Sequence, residues 1–208
     1  MLVNQQKTHI VVSKLPRNED YLTNYDGYVV TTEHFDLANP VTKVDDIPDY
    51  EMYSQTIDSL NRRFGNRVLK GIEIGYIASE KDRIIDYLAD KDYDLKLLSV
   101  HHNGQFDYLD DEVKDMDPAI VIPWYFAQLS EALVVIEADV FAHFDCGFRV
   151  FGLSVAEFKQ YEAQFLPILD QVIKNKLAFE LNTKSAYLYD NLALYEYVID
   201  LYLSRGST

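Results

Sequence analysis

The residues best suited to chemistry in this chain fall at the ends of short apolar runs. Glu33 and His34 close the run 27–34, His101 and His102 close 95–102, and His143 and Asp145 close 138–145; Glu73 lies within 69–76, and Glu180 and Asn182 within 177–183. Four of the chain's five histidines belong to this set. Neutral imidazole with carboxylate and no thiolate suits zinc, manganese or iron in a hydrolytic centre better than a structural zinc. Any one of these positions alone is more often a hydrogen-bonded loop residue. His34, Glu73, His101 and His143 gathered into one mouth would be costly to bury, and a bound cation is the natural compensation.

For these groups to meet, the runs that carry them must be parallel strands whose carboxyl ends share one face, where sites in α/β folds are built. The expected strands are 9–13, 27–34, 69–76, 95–102, 138–145 and 177–183, each rich in Val, Ile, Leu or Phe and apolar enough to be covered on both sides. Helical patterns lie between and after them at 49–65, with Gly65 as its stop, at 79–91 and 154–175, opening on Ser79 and Ser154 as caps, and at 117–138 and 191–206. Pro123 and Trp124 suggest a kink or an N1-proline start. Strand and helix alternate without a break in composition, which predicts a single α/β domain over 1–208 with a parallel sheet.

Composition narrows the partners. The chain has 208 residues, 48% of them hydrophobic and 13% aromatic, enough to bury a core. Lys and Arg number 19 against 34 Asp and Glu, a net charge of −15, which disfavours a long nucleic acid or an anionic membrane as the main partner while leaving room for a local cationic site. A single cysteine, Cys146, excludes an intrachain disulfide. The N-terminus lacks the pattern of a secretory signal, so a cytoplasmic location is expected, and no apolar run is expected to reach the roughly 18 residues of a membrane span. The acidic stretch 107–117 lacks calcium-loop spacing and reads as a solvated loop.

Five segments, "VVTTEH" (29–34), "GIEIGY" (71–76), "LLSVHH" (97–102), "VFAHFD" (140–145) and "FELNT" (179–183), resemble in order and spacing the successive motifs of the PHP (polymerase and histidinol phosphatase) superfamily, in its histidinol-phosphate phosphatase branch. The resemblance implies a distorted (β/α)7 TIM-like barrel that binds up to three divalent metal ions (Zn, Mn or Fe), and hydrolysis of a small phosphomonoester, typically L-histidinol phosphate in histidine biosynthesis. Carried over residue by residue, it makes Glu73 the carboxylate bridging two ions, His101 and His143 the imidazoles completing one of them, and His34 a ligand of the third. The catalytic water would be activated on the ion held by Glu73, His101 and His143. Asp145 and Asn182 then read as groups orienting ligands. Arg149 lies close enough behind His143 to suit a substrate phosphate, with a surface charge as the equal alternative.

The chain also departs from that pattern. The family opens on H-x-H, and here His9 could stand for the first histidine while Val11 occupies the second position. The interval from Ser13 to Gly27 is too short for the usual first helix and both its loops. The closing S-D-A-H is not found before Thr208, so an incomplete barrel of about six strands and fewer than three ions are expected. Three readings follow: a PHP-type phosphomonoesterase, a homologue that binds metal without turnover, and a phosphoesterase acting on nucleotides.

Overall fold

The computed structural model describes residues 10–13 and 22–206. Six parallel strands form one sheet in chain order: β1 Ile10–Ser13, β2 Val29–Asp36, β3 Val68–Gly75, β4 Leu95–Ser99, β5 Val140–Phe141 and β6 Ala178–Phe179. Helix α1 (Tyr50–Phe64) joins β2 to β3, α2 (Lys81–Leu88) joins β3 to β4, and α3 (Pro118–Val135) joins β4 to β5. Helices α4 (Val155–Phe158) and α5 (Glu162–Lys174) lie between β5 and β6, and α6 (Leu192–Gly206) follows β6. This is the expected α/β architecture, a TIM-like arrangement in which β1 and β6 are not paired among the described residues.

Burial marks β2 and β3 as interior strands. Val29 to Thr32, Phe35 and Asp36 of β2 are buried, as are the last five residues of β3, so both faces are covered as in the centre of a parallel sheet. Register then places the site residues: His34 lies opposite Glu73, and Asp36 opposite Gly75, which in turn pairs with Ser99. Helix α1 starts on Asp49, whose side chain accepts from the Met52 amide, and ends on Gly65 in the left-handed region at φ 75°. Its Tyr53 hydroxyl reaches the carbonyls of Thr31 and Gly71 at 2.8 and 3.0 Å, pinning the helix to β2 and β3.

The boundaries differ from the sequence expectation in several places: β2 runs two residues past 34, to Asp36, and α2 opens at Lys81 rather than on Ser79, which lies in the 3-10 turn Ala78–Glu80. The runs 95–102, 138–145 and 177–183 are strand only at 95–99, 140–141 and 178–179, so His101 and His143 sit just beyond strand ends. The expected helix 154–175 is two helices, α4 closing on Phe158 and α5 opening at Glu162. Pro118 occupies the first turn of α3, and Pro123 lies inside that helix. Helix α3 spans 18 residues and by length and composition is apolar enough to cross a membrane, contrary to expectation. Seven of its residues, including Tyr125, Phe126 and Leu129, are nevertheless buried in the core. Phe144 anchors that core beneath the His143 loop, with ring centroids of Phe148, Phe158, Phe165, Phe179 and Tyr195 between 4.9 and 6.4 Å away.

Candidate metal centre

Three imidazoles and two carboxylates converge above the ends of β2, β3, β4 and β5. Glu73 is central. Its Oε1 lies 3.0 Å from His101 Nε2 and 3.5 Å from His143 Nε2, and those two nitrogens are 3.0 Å apart. Its Oε2 faces the other way, 3.5 Å from His34 Nε2. Asp36 stands behind: Oδ1 lies 2.7 Å from His101 Nδ1, and Oδ2 lies 3.3 Å from His34 Nδ1. The three rings are stacked, His34 on His101 at 5.5 Å and His101 on His143 at 5.2 Å between centroids.

The charges are strongly coupled. Burial opposes ionisation of Glu73, yet the hydrogen bond from His101 and the charges of His143, His101 and His34 outweigh it and hold the carboxyl down at about 2. Asp36 is likewise opposed by burial and held well below the usual carboxylate range by His101 and His34. Burial works against a proton on His101, but Asp36 and Glu73 raise its pKa well above that of free imidazole. His34 is raised chiefly by its hydrogen bond to Asp36. An ionised carboxylate can only accept, so Asp36 takes the Nδ1 hydrogen of His101.

The donor geometry fits a small divalent cation. Four-coordinate zinc with bonds of about 2.0–2.1 Å separates neighbouring donor atoms by about 3.3–3.4 Å. Glu73 Oε1, His101 Nε2 and His143 Nε2 form a triangle with edges of 3.0, 3.0 and 3.5 Å, one face of such a tetrahedron. His34, Glu73 and His101 also each offer a donor atom within 4.8 Å of the others.

The remaining sequence candidates fall around this cluster. His9 lies outside the described residues. Asn182 donates to Glu180 Oε1 at 3.4 Å, and Glu180 Oε2 accepts the backbone N–H of His143 at 2.6 Å, so the pair anchors the His143 loop. Asp145 is fully buried and accepts from Arg149 Nε at 3.1 Å and Nη2 at 2.8 Å, from the Ser185 hydroxyl, from Asn191 at 3.2 Å and from the Tyr195 hydroxyl at 2.8 Å. Arg149 is itself buried, with two donors on Asp145 and its guanidinium 5.5 Å from the Tyr189 ring. His102 is buried, and its Nδ1 accepts the Gly104 amide at 3.2 Å.

Of the residues in contact with the cluster, Asp36 was not singled out in the sequence, and Glu180 was singled out without an assigned role. Strand periodicity carried the signal for Asp36. Two residues beyond His34 on a continuing strand, it faces the same side.

A family model described as PHP domain matches residues 23–184. No curated protein matches the chain. Among solved structures, the chain is similar to the crystal structure of histidinol phosphate phosphatase from Lactococcus lactis subsp. lactis complexed with zinc, L-histidinol and phosphate. The TM-score is 0.78 at 20% identity, covering 94% of this chain and 79% of the other. At that identity the likeness shows the fold.

Proposed function

The chain belongs to the PHP domain family, and from that premise we propose that it is a divalent-metal-dependent phosphomonoesterase acting on a small phosphorylated alcohol, with L-histidinol phosphate the first substrate to test. The observation that carries this reading is the triangle of Glu73 Oε1, His101 Nε2 and His143 Nε2, whose edges suit one ion. Glu73 Oε2 and His34 Nε2 could supply part of a second position, in which case Glu73 would hold an ion on each side. A divalent ion supplies charge that neutralises phosphate oxygens and acidifies a water for attack on phosphorus.

The chain's own contribution is ligation and orientation. Glu73 provides the buried negative charge, and the shared stacking of His34, His101 and His143 keeps their Nε2 atoms aimed at it. His34 has a 30% exposed side chain against 14% for His101 and 10% for His143, so the mouth through which a phosphate arrives opens past His34. Arg149 enters this reading as a support of the loop that carries His143.

One observation favours a second reading, a homologue that binds an ion without turnover. Val11 pairs with Val30 in the sheet at the position where the family pattern has its second histidine, and a valine cannot ligate. Metal content after loading with zinc, manganese or iron, measured beside hydrolysis of histidinol phosphate, separates the two. The phosphatase reading expects turnover that Glu73→Ala and His101→Ala each abolish. Hydrolysis that survives both substitutions refutes it, and about one bound ion without turnover establishes the second reading.

A further inference from the structure

Asp36 stands at the end of β2, behind the rings of the cluster. Its two oxygens address two different rings of the cluster, Oδ1 at 2.7 Å from His101 Nδ1 and Oδ2 at 3.3 Å from His34 Nδ1. The far nitrogen of each ring faces Glu73: His101 Nε2 is 3.0 Å from Oε1, and His34 Nε2 is 3.5 Å from Oε2. One carboxylate behind the rings thus aims both of them at the two oxygens of the carboxylate in front. A histidine whose Nδ1–H is held by a carboxylate keeps the Nε2 lone pair free for a metal, and such partners typically account for a 10–100-fold difference in metal affinity.

The surrounding chain is arranged to hold that carboxylate. The Asp36 amide donates to the Asp46 carbonyl at 2.9 Å, and the Asp46 amide donates back at 2.7 Å, so the backbone is pinned by the loop as well as by β3. Directly opposite lies Gly75. A β-carbon there would stand 1.7 Å from Asp36 Oδ1 and 3.2 Å from His101 Nδ1, so no other residue leaves room for the contact. Gly75 is not among the residues of positive φ. A glycine inside a strand weakens it and commonly marks a close approach, here that of the Asp36 carboxylate.

We infer that Asp36 is a positioning residue, which by accepting the Nδ1 hydrogens of His101 and His34 presents their Nε2 atoms to metal at Glu73. The inference rests on the metal-dependent reading proposed above. Its test is a competitive zinc titration of the full chain at neutral pH, with nitrogen-detected NMR of the histidine rings. Zinc affinity is expected to fall about 10–100-fold in Asp36→Asn, and similarly in Gly75→Ala, which leaves Asp36 in place but displaces its carboxylate. In the wild-type chain without zinc, His101 Nδ1 is expected to remain protonated; with zinc bound, Nδ1 stays protonated and Nε2 takes the metal shift. Affinity within about twofold of wild type in a folded Asp36→Asn chain overturns the inference, as does zinc coordinated through His101 Nδ1. The NMR readout needs only the wild-type chain, so a variant that fails to fold does not leave the question open. A wild-type chain that takes up no zinc sinks the metal-dependent reading and the inference with it, whereas zinc uptake unaffected by Asp36→Asn sinks the inference alone.

Discussion

Replacing Asp145 by Asn removes the charge on which the loop after β5 is assembled. Asp145 is 0% exposed and Arg149 is 7% exposed, so the substitution leaves a guanidinium in the core without its counter-ion. Asn can present one oxygen and one NH2, whereas each oxygen of Asp145 faces donors only: Arg149 Nε, Ser185 and Asn191 on Oδ2, and Arg149 Nη2 and Tyr195 on Oδ1. Either rotamer sets donor against donor. Breaking a buried pair by removing one partner costs about 3–5 kcal/mol, a large share of the roughly 5–15 kcal/mol that holds a domain folded. At about 2–4 °C per kcal/mol for a chain of this size, the melting temperature should fall by ~6–20 °C. Circular dichroism melting at pH 7 in the presence of chelator measures it. The sign with pH is also fixed. Burial opposes the Asp145 charge, but Arg149, Ser185 and Tyr195 hold its pKa below the ordinary value. That contribution is present above about pH 4 and lost as the pH falls through the folded value, so the variant should lose part of the wild type's acid sensitivity. An apolar replacement of both partners, Asp145→Leu with Arg149→Met, should recover only the share due to the unpaired guanidinium, because Ser185, Asn191 and Tyr195 still lose their acceptor. A fall below about 2 °C for Asp145→Asn would refute the claim that this pair organises the loop.

The same reasoning gives three further expectations. In the chelator-treated chain, the raised pKa values of His34 and His101 contribute stability that is full below about pH 6.5 and lost as the pH rises through their folded values, whereas depressed Asp36 and Glu73 contribute above about pH 4. Zinc requires neutral imidazole, so its stabilisation in thermal melts should grow between pH 6 and 8, and a gain that is flat or declining there contradicts the ligand set. Tyr53→Phe removes a buried hydroxyl shared by the carbonyls of Thr31 and Gly71 and should cost about 1–3 kcal/mol in urea unfolding; a loss under about 0.5 kcal/mol would show that α1 does not depend on it.

Element type and order were legible because parallel strands buried on both faces write apolar runs that no other element needs at that length. Ends were less legible. Residues 142–145 continue the apolar run of β5, but the Cys146 amide bonds back to the His143 carbonyl and the chain turns, a tertiary choice that periodicity does not record. The tripeptide His-Phe-Asp shows the consequence, since it occurs at 34–36 and again at 143–145. In the first copy the strand continues to Asp36, and the aspartate shares a face with its histidine. In the second the strand has ended, and the aspartate turns away to Arg149 and α6. Identical residues therefore took opposite roles, and only the length of the preceding strand distinguishes them. Arg149 had the chemistry of a phosphate ligand in the sequence; its burial beside Asp145 depends on the contacts from Ser185, Asn191 and Tyr195, more than 35 residues away along the chain.

The net charge of −15 gains a local meaning from the cluster. Asp36 and Glu73 are both held ionised against the cost of burial by the hydrogen bonds and charges of the histidines around them, His101 and His34 for both and His143 for Glu73. A proton on His101 Nε2 would lie between Glu73 Oε1 and His143 Nε2, within the same triangle of donors that suits zinc. Proton and metal compete for one position, and each satisfies the same two carboxylates. A phosphate dianion gains little from the protonated form, because the imidazolium charge is already matched by Asp36 and Glu73. A divalent ion adds one more positive charge than the proton it displaces, and an ion on each side of Glu73 would turn the mouth from anionic to cationic. On the proposed reading, metal occupancy would decide whether the mouth of an acidic protein repels a phosphorylated substrate or collects it.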